Sequence, residues 1–270
     1  MGALRILVTG SEGFLGRYAV AAVAAAGHDA LTTSRSGGDA AVDLSAPGMV
    51  AAVVEALRPD LVIHLAAMSR MSACEADPAA AERVNALVSE KLVSRFGARL
   101  LLASTDLVFD GRSAPYSEGA SPSPLSVYGA SKVEAEERVR ARGGRVARLP
   151  LLFGQDDRDR GATASLRAGV REGRAMGLFP NEYRTPLHAA DAAAALVAAV
   201  VDPEGPNVFH LPGPERVSRW ELARRFCAAQ GLPTEQLEAV ECHDPLRPRD
   251  VSLLGGWQAP RSLDDMLADS

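Results

Sequence analysis

The chain has 270 residues, 47% of them apolar, and a net charge of −5. This is enough apolar material for a large core, and the acidic balance excludes general affinity for nucleic acid or an anionic membrane, which requires a basic face. Cys74, Cys227 and Cys242 are odd in number and have no close spacing, so they argue for reduced thiols in a cytoplasmic protein and against a disulfide framework or zinc finger.

The opening MGALRILVTG is too short for a signal peptide or a membrane span and lacks the Ser/Thr of a myristoylation signal. It reads as a first strand over Leu4 to Thr9, a continuous apolar run suited to a parallel sheet covered on both faces. A helix is predicted over Phe14 to Ala26, stopped by Gly27, then a strand over Ala30 to Ser34. A helix over Met49 to Leu57 and a third strand over Leu61 to Leu65 come next. One long helix should run from Pro78, allowed in a first turn, to Phe96. A fourth strand over Arg99 to Ala103, a helix over Ser126 to Arg142 and a fifth strand over Arg145 to Leu149 complete the first half. Such alternation predicts a Rossmann-type, doubly wound parallel sheet with right-handed crossovers over residues 1–150.

Past Pro150 the pattern loosens. Gln155 to Gly161 is a charged loop, and the arginines between Arg138 and Arg174 read as solvated faces. Helices are expected over Ala164 to Glu172, Ala189 to Val201 and Ser218 to Gln230, the last with Ser218 and Glu221 as a capping box. Thr185 to His188 and Asn207 to Leu211 are extended. Residues 151–270 are expected to form a smaller, mixed α/β lobe that exchanges some chain with the first.

Gly10, Gly13 and Gly16 join the first strand to the first helix. In that context they suit a tight turn, close approach of a pyrophosphate, and close helix–sheet packing, with the helix start facing the phosphates. Ser11, Phe14 and Leu15 share the loop. After the second strand the chain offers Ser34 and Arg35 and no carboxylate, which favours a 2′-phosphate, hence NADP(H) over NAD(H). Asp43 and Leu44 are placed to cover the adenine. Leu65, Ala66 and Ala67 follow the third strand, where small residues let a cofactor pass, while His64 reads as a packed histidine. Asn85 lies inside the long helix, an unfavourable position that suits tying backbone or water together.

Tyr128 and Lys132 lie at i and i+4, on one helix face. A free tyrosine titrates near pH 10, and a neighbouring ammonium is expected to lower that value. YxxxK alone also describes any exposed helix face. The glycine loop upstream, and Ser104, Thr105 and Asp106 at the end of the fourth strand, turn the reading towards catalysis.

These segments together, with the stretch from Ser104 to Gly111 and Pro122 to Leu125, resemble an extended short-chain dehydrogenase/reductase of the dTDP-4-dehydrorhamnose reductase-like branch, to which the methionine adenosyltransferase β subunit is related. The resemblance implies that Thr105 hydrogen-bonds a substrate carbonyl, that Tyr128 donates the proton and that Lys132 holds the nicotinamide ribose. Pro150 to Phe153 would line nicotinamide and substrate, with Met68, Asp106, Phe153, Arg184 and Arg247 as substrate contacts. Arg184, Arg247 and Arg249 suit a diphosphate, because guanidinium matches phosphate oxygens. The expected activity is NADPH-dependent reduction of a keto group on a nucleotide-activated deoxysugar. A sugar-nucleotide epimerase or dehydratase and a non-catalytic NADP-binding subunit are the alternatives, and the relatives suggest a homodimer. The chain departs from the branch near its end, where Arg247 to Leu253 carries Val251 in place of a serine and runs almost directly into Gly255-Gly256-Trp257.

Overall fold

The computed structural model describes residues 2–156, 158, 160–202 and 204–270. Seven parallel strands form the central sheet: β1 Arg5–Thr9, β2 Asp29–Ser34, β3 Ala40–Ala41, β4 Leu61–His64, β5 Leu100–Thr105, β6 Arg145–Leu149 and, from the far end of the chain, Val208–His210. Their order is Val208–His210, β6, β5, β4, β1, β2, β3, so the winding reverses beside β1. In such sheets that reversal opens a crevice at the carboxyl ends of the strands.

Strand periodicity sorts the core into two layers. Ile6 and Val8 face one side with Ala19 and Val23 of α1 Phe14–Ala25. Leu7 faces the other side with Val50 and Val53 of α2 Met49–Leu57. The first layer also holds Ala192 and Leu196 of a helix over Ala189–Val201, which packs on α1. The second half of the chain therefore supplies both an edge strand and a covering helix to the first.

The long helix expected from Pro78 is three pieces. After an unexpected α3 Met71–Ala76, α4 Pro78–Ala81 is capped by Asp77, a π-helical segment spans Glu82–Leu87, and α5 runs Val88–Phe96. A π turn changes which side chains face inward, and here it carries Asn85. The next helix, α6 Val127–Arg140, is capped by Ser126, whose hydroxyl accepts from the Gly129 N–H at 3.1 Å.

The remaining elements are β7 Leu152–Phe153, α7 Ala162–Arg171, β8 Met176–Leu178, β9 Tyr183–Arg184, β10 Leu187–His188, α8 (the Ala189–Val201 helix), β11 (the Val208–His210 strand), β12 Val217–Ser218, α9 Arg219–Ala229, β13 Leu237–Ala239 and α10 Leu263–Ala268. The extended piece expected over Thr185 to His188 is shorter: Leu187–His188 alone forms a strand there, β10, which pairs with β7, while β9 just before it pairs with β12. Of the expected charged loop, Asp157 and Asp159 lie outside the described residues. No helix among the described residues is long and apolar enough to cross a membrane.

Candidate active site

The glycine loop is shaped by contacts that leave no room for side chains. Gly10 has φ +69°, and a Cβ there would meet the Ala66 backbone nitrogen at 2.8 Å. A Cβ on Gly16 would stand 2.1 Å from the Gly10 carbonyl oxygen. Thr9 ties this turn to the segment after β4, its hydroxyl accepting from the N–H groups of Leu65 (3.2 Å) and Ala66 (3.1 Å). Gly13 precedes α1, and no side chain caps that helix. Its first N–H groups are left for an anion. The Ser11 hydroxyl is buried with no partner. An orphaned hydroxyl at an uncapped helix start fits a phosphate, so Gly10, Ser11, Gly13, Phe14, Leu15 and Gly16 are suited to hold a dinucleotide.

At the adenosine end, the Ser34 hydroxyl is engaged locally, accepting from Gly37 N–H at 2.9 Å and donating to Gly37 O at 3.0 Å, which folds the loop that exposes Arg35. Asp43 lies close enough for the Arg35 charge to help hold its carboxyl below the usual range, after hydrogen bonds from Ser45 as the main cause. Leu44 is a correction: it is buried in the second core layer, so its side chain presents little surface to an adenine. The expectation of no carboxylate at this end also needs correction. Asp39 turns back to Thr32, and Glu12 of the glycine loop packs against Gly37 with Cγ at 3.5 Å from a Cβ placed there. Glu12 is paired with Arg158 at 3.0 Å. Glu12 was hidden in sequence because it belongs to the other loop.

The sequence also gave no sign that the Gln155 to Gly161 loop lies on the phosphate turn. Arg160 donates to the Glu12 carbonyl, Asp156 pairs with Arg17 at 3.2 Å, and the Tyr18 hydroxyl donates to Gln155 O at 2.8 Å. Gly161 stands against the Phe14 ring.

The catalytic candidates converge at the end of β5. Thr105 is the last residue of that strand, and its hydroxyl donates to Asp106 Oδ1 (3.2 Å) while accepting from the Leu107 N–H (3.2 Å). The Thr105 side chain stands close enough to the Tyr128 phenol to act on its pKa. Gly129 permits this approach: a Cβ there would lie 2.4 Å from the Leu107 carbonyl oxygen. One turn on, Lys132 is buried and donates Nζ–H to Ala103 O at 2.8 Å.

The pKa pattern differs from the expectation. The Tyr128 phenol is raised above the usual tyrosine range, first by burial and then by the Asp106 charge, with the Thr105 side chain opposing, so it is a neutral phenol in the unliganded protein. Burial lowers Lys132 itself to about 8, with Glu136 opposing. Asp106 is raised to about 6, mainly by burial, against the pull of Arg184. His64 is a packed histidine, lowered to about 3 by burial and then the Lys132 charge, its Nδ1 bonded to the Thr9 hydroxyl at 2.7 Å. Ser104 turns away from this site towards Glu136.

Asn85 links two parts of the site. Its Oδ1 accepts from Met68 N–H (2.8 Å), and its Nδ2 donates to Met68 O (3.1 Å) and to the Ser131 hydroxyl (2.9 Å). Beside Asp106 stand Arg184, whose Nε is 3.4 Å from Asp106 Oδ2, and Glu182, 3.3 Å from Arg184 and 2.7 Å from Arg247. Arg247 is therefore already engaged by a buried carboxylate. Arg219, missed in sequence, has a buried Nη1 without a hydrogen-bond partner, as does Arg249. Burial lowers Arg219 to about 10, against Glu182. Glu182 and Arg184 are two apart, which puts them on one side of an extended segment; that signal was readable. Pro150 is buried after β6. Phe153 is wholly buried against His188 and offers no surface to a substrate, a correction to its expected role.

The approach of the C-terminal segment accounts for Val251. The backbone nitrogen of Arg249 lies 2.7 Å from a Cβ built on Gly111, and Val251 is fully buried with Val108, Phe109, Tyr116 and Leu253. A valine suits that apolar cluster, where a serine would need a partner.

A parallel doubly wound sheet, a glycine-cradled helix start at its reversal and a Tyr–Lys helix beside a strand-end threonine define a Rossmann-type α/β protein. The chain belongs to the RmlD substrate binding domain family, matched over residues 4–252. It is 30% identical over 202 residues to methionine adenosyltransferase 2 subunit beta of Xenopus laevis, covering 71% of this chain and 60% of that protein, less than two thirds of the relative's length. It is 27% identical to the probable low-salt glycan biosynthesis reductase Agl14 of Haloferax volcanii, covering 89% of this chain and 85% of that one. The crystal structure of dTDP-4-dehydrorhamnose reductase from Bacillus anthracis in complex with NADP superposes with a TM-score of 0.87 at 21% identity, covering 98% of this chain and 97% of that one, a likeness of fold.

Proposed function

We propose that this chain binds NADP(H) in preference to NAD(H) and reduces a keto group on a nucleotide-activated deoxysugar, with residues 1–150 as the dinucleotide unit and 151–270 mainly as the substrate lobe. The observation that carries the reading is the convergence of Thr105 and Tyr128 at the end of β5, with Lys132 one helical turn on and bonded to Ala103 O of the same strand. When bound, the dinucleotide supplies the hydride. Tyr128, held as a neutral phenol, is the proton donor that a ketone needs as its oxygen gains charge. Thr105 orients that oxygen. Lys132 has ammonium donors beyond the one given to Ala103, and these suit ribose hydroxyls. Arg35 supports the preference for a 2′-phosphate, and Arg184 and Arg219 suit an anionic portion of the substrate.

The test is NADPH oxidation with a dTDP-4-keto-6-deoxy sugar. Turnover is expected, and Tyr128→Phe should lower it by about 10²-fold or more while leaving NADP affinity within about twofold. A second reading is an NADP-binding subunit without turnover, and the similarity to methionine adenosyltransferase 2 subunit beta is the reason to test it. Tight NADP binding with no oxidation across several keto-sugars would select it.

A further inference from the structure

Behind the Tyr128–Lys132 pair lies a second, fully buried set of charges. Glu136 stands one turn beyond Lys132 on α6, on the same face. The two side chains reach consecutive residues of β5: Lys132 Nζ bonds Ala103 O, and the Ser104 hydroxyl donates to Glu136 Oε1. From β6, Arg148 grips the same carboxylate, with Nη2 at 2.7 Å from Oε2 and Nε at 3.1 Å from both oxygens. Arg148 in turn lies over the Phe109 ring at 5.1 Å, with Nη1 3.5 Å from His210 Nε2. The Nδ1 of His210 faces Leu254 O at 2.8 Å, so the imidazole is placed as a neutral acceptor towards Arg148.

We propose that Glu136 is the positioning residue of this site, the shared counter-charge that keeps Lys132 an ammonium while fixing α6 against the ends of β5 and β6. The charge count supports this. Lys132, Glu136 and Arg148 are all within 3% of complete burial, and they comprise two cations and one carboxylate. Removing the carboxylate would leave two buried cations, and of these only lysine can shed its proton, because arginine stays charged in proteins. The other group that the charge of Lys132 reaches is His64 on β4, buried and neutral. It cannot replace Glu136. The Glu136 charge raises Lys132 against the lowering by burial, in the same sense. The inference rests on the proposed role of Lys132, but it concerns the unliganded protein and is tested there.

The chain holds only two lysines, Lys91 and Lys132. With 13C-labelled lysine, NMR of the free protein should therefore show two Cε signals, separable with Lys91→Arg. In the parent protein Lys132 should titrate near 8. Glu136→Gln should lower that midpoint by about one pH unit or more, and Glu136→Asp should restore most of it. Because Gln alone strands Arg148, the double change Glu136→Gln with Arg148→Met removes both ends of the ion pair and is expected to fold. It should lower the midpoint as well. A Lys132 midpoint that stays within about 0.2 pH units of the parent in the double variant would overturn the proposal. This readout is independent of turnover, so a chain that never oxidises NADPH would sink the reductase reading and leave this one standing. If both hold, the alkaline limb of the rate profile moves down with the Lys132 midpoint.

Discussion

Asn85→Ala is the most direct probe of how the site is held together. The side chain is almost completely buried in the π-helical segment and makes three hydrogen bonds, two to the Met68 backbone and one to the Ser131 hydroxyl between Tyr128 and Lys132. Removing it strands the Met68 N–H, at a cost of about 1–3 kcal/mol. Met68 O keeps the Cys74 thiol at 3.2 Å, and Ser131 keeps its bond to Tyr128 O at 2.8 Å. For a chain of this size that corresponds to a fall in Tm of about 2–12 °C. Urea titration should show the loss as a lower midpoint at unchanged slope. NADP affinity should change little, because the glycine loop is on another segment, while kcat/KM for the keto substrate should fall. A variant that unfolds at the parent's urea midpoint would refute the reasoning, since it would mean that Asn85 does not satisfy Met68 in solution.

Asp106→Asn removes a buried carboxyl raised from 3.8 to about 6. A raised acid stabilises the fold below its unfolded pKa and loses that contribution as pH rises through the folded value, so the Asn variant should gain on the parent between about pH 4 and pH 6, by up to about 3 kcal/mol, and hold level above pH 7. Urea titrations across that range check the sign, and a constant difference would count against it. The same change removes a charge that raises Tyr128, so the Tyr128 phenol should titrate at a lower pH than in the parent, read by ultraviolet absorbance. Arg35→Asp should weaken NADP by about tenfold or more and leave NAD nearly unchanged, measured by calorimetry. Equal losses for both would remove Arg35 from the 2′-phosphate.

The first 150 residues were largely legible because their strands are short apolar runs divided by turns, and most of their helices, α2 and α3 apart, end at a glycine or begin at a side-chain cap. The glycine loop was readable for the same reason: Gly10, Gly13 and Gly16 lie within one turn whose local shape needs them. The break in the Pro78 to Phe96 helix was not legible. Its residues are good helix formers, and the π turn answers to Met68 and Ser131, which are remote in sequence. Leu44 and Phe153 were misplaced because apolar residues beside a motif fit both a ligand wall and a core, and only packing separates them. Arg219 carried no local sign, since an arginine at the start of α9 reads as a solvated end.

Sequence alone determined the period-2 and period-3.6 patterns, hence the strands, most helices and the i, i+4 placement of Tyr128, Lys132 and Glu136. The fold decided which charges meet. Glu136 and Arg148 lie on different elements, Asp106 and Arg184 are far apart in the chain, and Glu12 reaches the loop beyond β2 across the sheet's reversal. The physical reason is that local conformation follows from neighbours along the chain, whereas protonation states follow from burial and from charges brought close in space.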